Sequence, residues 1–380
     1  LLRYFATSLL RYFATSLLRY FATSLLRYFA TMSFQLPKTT RTTPLHLNKK
    51  STALEAASHA DLRTKTVVIT GANTGIGKET ALALASRGAR VVCAVRSIER
   101  MKVAMGEIRQ LVPKARIEAM KLDLGDLASV RAFAEEFLAK ELPLHILILN
   151  AGVFWKYNYI VKSGFEAHFG TNHVGHFYLV QLLRQRLENS APSRVVVLSS
   201  SAHKSVKKLD LDDLNVEWRF SGFKAYAQSK LCNLLFAMEL NAQFKRMGVK
   251  ATCNAVHPGV IKTEIFRNAG GFVKRLIHTV ANIFGKSIPQ GAATTVYAAV
   301  SDEVENKGGL YLKNCGIGKP SHYSQKEGLA RQLWVKTEEM LQQALEKEAK
   351  EGGGEVEEMK KEEKGGEEEE VAEPKKESDQ

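Results

Sequence analysis

The chain has few cysteines and no long hydrophobic run. Only four cysteines occur in 380 residues, and no two of them form a CxxC pair. This scarcity indicates neither a zinc site nor a disulfide framework, and it favours a reducing compartment, the cytoplasm by default. No stretch long enough to span a membrane is free of charged residues, so we predict no transmembrane helix. With 45% apolar and 25% charged side chains, the sequence is otherwise typical of a globular chain with a sizeable core.

Acidic residues are absent from the start of the chain and crowded at its end. The first acidic side chain is Glu55, whereas residues 351–380 hold thirteen acidic and five basic side chains. The remainder of the chain is therefore more basic than the net charge of +14 indicates. A basic surface attracts anions, but no zinc finger, RNA-recognition motif or continuous basic helix accompanies it. We therefore predict no nucleic-acid function.

The two ends differ in composition from the middle of the chain. Residues 1–31 are four copies of LLRYFATS, the last one residue short, and we assign residues 1–62 to a low-complexity, basic extension. Two interpretations of this extension stay open. An acid-free segment with Arg, Ser and Thr resembles a mitochondrial or plastid transit peptide, whereas translation from Met32 would make the repeat an upstream read-through. Residues 346–380, rich in Glu, Lys and Gly, are predicted to be a disordered acidic tail.

The middle segment, residues 63–345, alternates short apolar strands with amphipathic helices. The strand patterns are KTVVIT, ARVVCAV, ARIEAMKL, HILILN, RVVVLSS and VKATCNAVH, and helical patterns follow the first three. Near-continuous apolar strands separated by helices predict a parallel sheet that is covered on both faces. We therefore predict a single α/β domain, a doubly wound Rossmann-type parallel sheet of about seven strands with helices on both faces.

A glycine-rich turn, TGANTGIG, follows the first predicted strand and opens a helix. Such a turn aims the free N–H groups and the positive dipole end of the helix at a pyrophosphate. The turn therefore predicts a dinucleotide site, and its members are Gly71, Asn73, Thr74, Gly75, Ile76 and Gly77. From this motif alone, the simpler alternative of glycines that only permit a tight turn stays open.

The end of the second predicted strand discriminates between the two nicotinamide dinucleotides. A carboxylate there would bind the ribose 2′-hydroxyl of NAD, whereas an arginine would accept the 2′-phosphate of NADP. The strand ends in Ala94-Val95-Arg96-Ser97, without an acidic residue. We therefore predict NADP(H) in preference to NAD(H), with Arg96 as the phosphate partner.

Tyr226 and Lys230 lie four residues apart at the start of a long helical pattern. Residues at this spacing share one face of a helix, which brings an ammonium group beside a phenol. A nearby cation lowers the pKa of a tyrosine, as acid–base catalysis near neutral pH requires. The pair is common by chance and becomes specific only together with other motifs.

Four motifs in order along residues 65–315 resemble those of the short-chain dehydrogenase/reductase family. They are TGANTGIG, the NAG of residues 150–152, the paired serines after the RVVVL strand, and YAQSK. The segments TNHVGHFYLVQLL, NAVHPG and QGAATTVY are most similar to the retinol-dehydrogenase-like branch, and within it to the WW-domain-containing group. WW modules themselves are missing, because the three tryptophans form no WW-type pair.

The family resemblance implies roles for individual residues. It implies a catalytic set of Asn172, Ser200, Tyr226 and Lys230. In that set, Tyr226 exchanges a proton with the substrate oxygen and Ser200 hydrogen-bonds the same oxygen, whereas Lys230 also holds the nicotinamide ribose. Asn172 supports a water relay to the lysine, and the choice of Ser200 among three adjacent serines follows the family pattern. Further cofactor contacts implied by the family are Asp123, Leu124, Asn150, Ala151, Gly152, Pro258, Gly259 and Thr263.

Together these patterns predict an NADP(H)-dependent oxidoreductase that interconverts an alcohol and a carbonyl on a small lipophilic substrate, such as a retinoid, steroid or fatty aldehyde. The alternative is a catalytically weak dinucleotide-binding scaffold or redox sensor. Residues 264–286 are apolar with interspersed Lys and Arg, which predicts either a lid over the substrate or a basic surface in peripheral contact with a membrane. The histidines show no metal-ligand spacing, so we predict no metal, and a homodimer is kept as a hypothesis.

Overall fold

The computed structural model describes residues 46–216, 220–261 and 285–369. The LLRYFATS repeat, Thr263, nearly all of the predicted lid and residues 370–380 lie outside these ranges. What the sequence predicts for them therefore stays a prediction.

Seven parallel strands form one sheet, and the six apolar runs correspond to the first six of them. They are β1 (Thr66–Thr70), β2 (Arg90–Val95), β3 (Arg116–Lys121), β4 (Ile146–Leu149), β5 (Ser193–Leu198), β6 (Ala251–His257) and β7 (Tyr311–Lys313). Their order across the sheet is β3-β2-β1-β4-β5-β6-β7, and every neighbouring pair is parallel. The predicted doubly wound α/β fold is confirmed.

Helices cover both faces of this sheet. They are α1 (Ala53–Ala56), α2 (Gly75–Ser86), α3 (Ile98–Leu111), α4 (Leu127–Ala139), α5 (Gly175–Asn189), α6 (Gly222–Arg246), α7 (Ile288–Val300) and α8 (Leu329–Glu369). A short helix, Ala167–Phe169, and a π-helical turn, Gly170–Val174, lead into α5. Successive strand side chains point to opposite faces, so Val68 joins the core under α4, α5, α6 and α8. Val67 and Ile69 join the core under α1, α2, α3 and α7.

Helix α4 illustrates why these segments fold as they do. Its N-cap residue, Asp126, accepts the backbone N–H groups of Ala128 and Ser129 and so begins the helix. The residues with helical spacing, Val130, Phe133 and Phe137, are almost fully buried against the sheet. Burial of such side chains contributes about 2 kcal/mol each, which holds the helix in place.

The order of the strands creates a crevice at one edge of the sheet. From β1 the chain moves outward through β2 and β3, and then returns to the other side of β1 at β4. The connections that follow β1 and β4 therefore diverge in opposite directions at the carboxyl ends of these strands. Ligands of doubly wound sheets bind at such a switch point.

Three elements differ from the sequence-based expectation. Helix α1 lies in the predicted extension, yet its Ala53 and Ala56 are fully buried, so the packed unit includes part of residues 1–62. A capping box between Thr52 and Glu55 begins this helix. Helix α8 continues to Glu369, into the segment predicted to be disordered, because Glu and Lys favour helix once a packed segment has begun one. Strand β7 has only three residues, too few for a periodic signal.

Candidate active site

A cleft of about 1000 Å³ opens at the carboxyl ends of the strands. Of the predicted site residues in the described ranges, all except Asn172 line it. They are Gly71, Asn73, Thr74, Gly75, Ile76, Gly77, Arg96, Asp123, Leu124, Asn150, Ala151, Gly152, Ser200, Tyr226, Lys230, Pro258 and Gly259. The fold therefore brings together side chains that are far apart in the sequence.

The glycine turn packs too closely for side chains. Gly71 has a φ of +68°, a left-handed conformation that favours glycine. A Cβ atom at Gly77 would lie 2.3 Å from the carbonyl oxygen of Gly71 and 2.5 Å from Nδ2 of Asn150. That same Nδ2 donates to the carbonyl oxygens of Thr70 and Gly71, at 2.8 and 3.1 Å. The turn is therefore held close to both the helix and the neighbouring strand β4.

Helix α2 presents its N-terminus to the cleft. Its N-cap residue, Thr74, makes no side-chain capping bond, and residues 74–77 all line the cleft. The first N–H groups of a helix have no partner within the helix, and they carry its positive dipole end. This end of the cleft is therefore suited to an anionic group such as a pyrophosphate.

The cleft is basic on the β2 side of this helix N-terminus. Arg96, Ser97 and Arg100 line it at the junction of β2 and α3. Among the described lining residues the one acidic side chain is Asp123, which follows β3 and accepts the N–H of Gly125 at 3.0 Å. No carboxylate thus stands at the end of β2, where NAD would need one. Sequence analysis missed Arg100, although its position one helical turn after Arg96 is a usable signal.

Tyr226 and Lys230 lie together at the other end, on helix α6. Both are buried, with 7% and 3% of their surface exposed. The Nζ atom of Lys230 lies 5.7 Å from the centre of the Tyr226 ring and donates to the carbonyl oxygen of Leu198 at 3.1 Å. The end of strand β5 therefore orients the lysine along the phenol.

Burial changes the pKa values of this pair in opposite directions. It raises the pKa of Tyr226 to about 12, and a hydrogen bond from Ser200 acts against that rise. It lowers the pKa of Lys230 to about 8. The lowered Tyr226 pKa that the sequence predicts is therefore not found in the protein alone, because removal from water disfavours both charged forms.

The structure distinguishes between the adjacent serines. The Ser199 hydroxyl is buried and donates to the carbonyl oxygen of Lys230 at 2.7 Å. The Ser200 hydroxyl is partly exposed in the cleft and is hydrogen-bonded to Tyr226. Ser199 thus supports the helix backbone, whereas Ser200 is the serine in contact with the tyrosine.

Asn172 lies behind the cleft, in the π-helical turn before α5. Its side chain accepts the N–H of Val153 at 2.7 Å and donates to Ser229 Oγ at 3.0 Å. A Cβ atom at Gly152 would lie 3.3 Å from both Asn172 Oδ1 and Lys230 Nζ, so the two side chains approach the same glycine. π-helical turns often occur at functional sites, and no sequence pattern predicts this one.

Apolar side chains wall the cleft beside Tyr226. Phe154, Trp155, Phe223 and Val260 line it, and the Phe154 ring meets Tyr226 edge-on at 5.5 Å. These four residues belong to no motif of the sequence, so they could not be predicted from it. The described residues contain no group of three or more potential metal ligands. Across the same ranges, no helix is both long and apolar enough to cross a membrane.

A buried hydrogen bond between His168 and Glu166 supports this wall. His168 Nδ1 lies 2.5 Å from Glu166 Oε1, and neither side chain is exposed. On its other side, His168 Nε2 accepts the backbone N–H of Trp155 at 2.9 Å. The apolar wall is therefore attached to a rigid polar pair.

Comparison with known proteins agrees with this geometry. The model of the family described as short chain dehydrogenase matches residues 65–271. The WW domain-containing oxidoreductase of Homo sapiens is 44% identical over 315 residues, which cover 81% of this chain and 75% of that protein. Retinol dehydrogenase 12 of Mus musculus is 46% identical over 277 residues, or 73% of this chain and 86% of that protein.

A solved structure extends the similarity to three dimensions. An uncharacterised protein from Mycobacterium paratuberculosis is 34% identical, with a TM-score of 0.61. The match covers 76% of this chain and 97% of that one.

Proposed function

The chain belongs to the short-chain dehydrogenase family, and from that membership we propose that it is an NADP(H)-dependent oxidoreductase that interconverts an alcohol and a carbonyl on a lipophilic substrate. The observation that carries the proposal is the contact of Tyr226 with Ser200 and Lys230 at one end of the cleft. At the other end, an uncapped helix N-terminus and two arginines supply anion-binding groups.

The residues of the cleft fit a nicotinamide dinucleotide. Gly77 leaves no room for a Cβ, so helix α2 packs closely on the glycine turn, and the N–H groups of residues 75–77 at its N-terminus would bind a pyrophosphate. Arg96 would hold a 2′-phosphate, and the absence of a carboxylate at the end of β2 favours NADP(H) over NAD(H). When bound, the nicotinamide supplies or accepts the hydride, and the protein residues handle the proton.

Three side chains would handle that proton. The Tyr226 hydroxyl donates it to the carbonyl oxygen during reduction and removes it from the alcohol during oxidation. Ser200 donates a hydrogen bond to the same oxygen and stabilises its developing charge. The ammonium group of Lys230, beside the phenol ring, stabilises the phenolate that remains after reduction.

The apolar wall supports a lipophilic substrate class. Phe154, Trp155 and Phe223 present hydrophobic surface next to Tyr226, which would bury an apolar chain or ring. One relative carries the name retinol dehydrogenase 12, so a retinoid is the first substrate to test, followed by steroids and fatty aldehydes.

A panel of carbonyl substrates tests the proposal. The full-length protein is assayed with NADPH and with NADH against retinal, a ketosteroid and a long-chain aldehyde, with a short polar aldehyde as the comparison. We expect turnover with NADPH on at least one lipophilic carbonyl and slower turnover on the polar one. Cofactor binding without turnover on any member would contradict the proposal and favour the scaffold alternative.

The choice of cofactor is tested at Arg96. Changing Arg96→Asp removes the cation and adds a charge that repels a 2′-phosphate, so kcat/KM for NADPH relative to NADH should fall by about 10-fold or more. The matched control is Lys102→Asp, which makes the same kind of charge change at an exposed position of helix α3, just after Arg96 in the chain. An equal cofactor ratio in the two variants would remove Arg96 from the cofactor site.

A further inference from the structure

Two buried histidines bind the peptide group that follows Ser200. His203 Nδ1 lies 2.5 Å from the carbonyl oxygen of Ser200. The N–H of Ser201, on the other side of the same peptide bond, donates to His257 Nδ1 at 3.1 Å. The two side chains are 0% and 4% exposed. Because a peptide group is planar, it cannot rotate without breaking one of these bonds.

The hydrogen-bond partners assign opposite tautomers to the two rings. His203 Nδ1 faces a carbonyl oxygen and must carry the proton, while its Nε2 accepts the N–H of Ser321 at 3.0 Å. His257 Nδ1 accepts an N–H, so its proton is on Nε2. Burial lowers the pKa of both imidazoles, to about 3 for His257, which keeps both rings neutral.

Strands β6 and β7 hold the two rings, and His203 itself lies in the 3₁₀ turn Ser201–Ser205. His257 is the last residue of β6, and the N–H of Ser199 donates to Val256 at 2.9 Å, so strand pairing places His257 beside the turn. The His203 ring meets Tyr311 of β7 edge-on at 5.0 Å. Each ring is therefore anchored in a different part of the sheet.

The turn that begins with this peptide also holds the Ser200 hydroxyl. The Ser200 Oγ atom accepts the N–H of Ala202 at 3.2 Å, which leaves its own hydrogen for the Tyr226 oxygen. We propose that His203 and His257 are positioning residues, a peptide clamp that holds Ser200 in register with Tyr226. The effect of the clamp on catalysis rests on the proposed function, whereas its existence does not.

A double-mutant cycle with Ser200 tests the effect on catalysis. In the full-length protein, His257→Phe should lower kcat by about 10- to 100-fold with little change in the KM for NADPH, because a hydrogen-bond donor to the reacting oxygen is misplaced. In a Ser200→Ala background the same change should cost less than about threefold, since no hydroxyl is left to position. His257→Asn, which keeps an acceptor near the Nδ1 position, should recover part of the loss.

The matched control is His145, whose Nδ1 accepts the N–H of Thr66 at 3.1 Å. Like the bond to His257, this bond joins a backbone N–H to a histidine Nδ1 at 3.1 Å. It lies at the amino ends of the strands, whereas the cleft lies at their carboxyl ends. His145→Phe should lower stability without any coupling to Ser200. Equal effects of His257→Phe in the two Ser200 backgrounds would reduce His257 to a structural role and overturn the proposal.

The clamp itself is tested without any turnover. Nitrogen-15 NMR of histidine-labelled protein at pH 7, assigned with His203→Gln and His257→Gln, should show His203 protonated at Nδ1 and His257 protonated at Nε2. A charged ring or the other tautomer at either position would overturn the clamp. If the wild-type protein reduced no carbonyl, the proposed function would fail, and the two tautomers would still decide whether the clamp exists.

Discussion

Lys230 carries its amino group inside the protein, where charge is costly. Its side chain is 3% exposed, and burial lowers its pKa from the ordinary value of 10.5 to about 8. Between those two values the unfolded chain holds the proton while the folded protein has lost most of it. Stability due to this residue therefore rises as the pH increases from 8 to 10.5, and is lost as the pH falls through 8.

A comparison with Lys230→Met isolates this contribution, because methionine has a similar length and does not titrate. The free energy of unfolding of the wild-type protein, minus that of the variant, should increase by about 2 kcal/mol between pH 8 and pH 10. Urea unfolding at the two pH values measures it. A difference that stays constant with pH would show that the folded protein does not lower the pKa of Lys230.

The positions of the site residues were easier to predict from the sequence than their hydrogen bonds and pKa values. The YxxxK spacing correctly placed Tyr226 and Lys230 together, since helix geometry is local. The choice of Ser200 over Ser199 came from the family pattern and not from local chemistry, because both serines follow the same strand and differ only in the direction of their hydroxyls. The raised pKa of Tyr226 could not be predicted either, because the spacing of residues along a helix says nothing about their burial.

At the level of elements, the close packing of α2 against β1 and β4 shapes the pyrophosphate end of the cleft. Gly77→Ala would place a methyl group 2.3 Å from the Gly71 carbonyl oxygen, so part of the backbone must move. We expect a loss of about 2 kcal/mol or more in stability, together with weaker NADPH binding. Urea unfolding and a cofactor fluorescence titration measure these two effects.

Gly106 provides the control for that substitution. It lies exposed within helix α3, and a Cβ atom there would have no neighbour within 4 Å. Gly106→Ala should therefore stabilise the protein by about 0.5–1 kcal/mol through helix propensity alone. Similar effects at both glycines would show that Gly77 is not closely packed.

Elements with strong periodicity were predictable, and short ones were not. Strands β1 to β6 follow the apolar runs within one or two residues, and all of them except the edge strand β3 are buried on both faces of the sheet. Helix α1 and strand β7 have four and three residues, and their positions depend on contacts with distant parts of the chain. The π-helical turn that holds Asn172 likewise has no local sequence signature.

At the scale of the described part of the chain, two cores cover opposite faces of one sheet, and a crevice opens at the switch point between β1 and β4. One end of the cleft, with the two arginines and the uncapped N-terminus of α2, lies toward β2. The other end, with Tyr226, lies toward β5 and β6. An elongated dinucleotide laid along the cleft would carry its phosphates to the first end and its reactive ring to the second. Dimer formation, the import role of the repeat and the lid are still hypotheses.

The most direct test of Tyr226 as the proton donor is single-turnover transfer of deuterium from NADPH, labelled at its reactive carbon, to a lipophilic aldehyde. The wild-type protein should transfer the label to the alcohol carbon. The control variant Tyr178→Phe should do the same, because Tyr178 is buried and is not among the described residues that line the cleft. Tyr226→Phe should bind NADPH normally and transfer the label about 1000-fold more slowly. Transfer by Tyr226→Phe within about tenfold of the wild-type rate would contradict the role of this tyrosine.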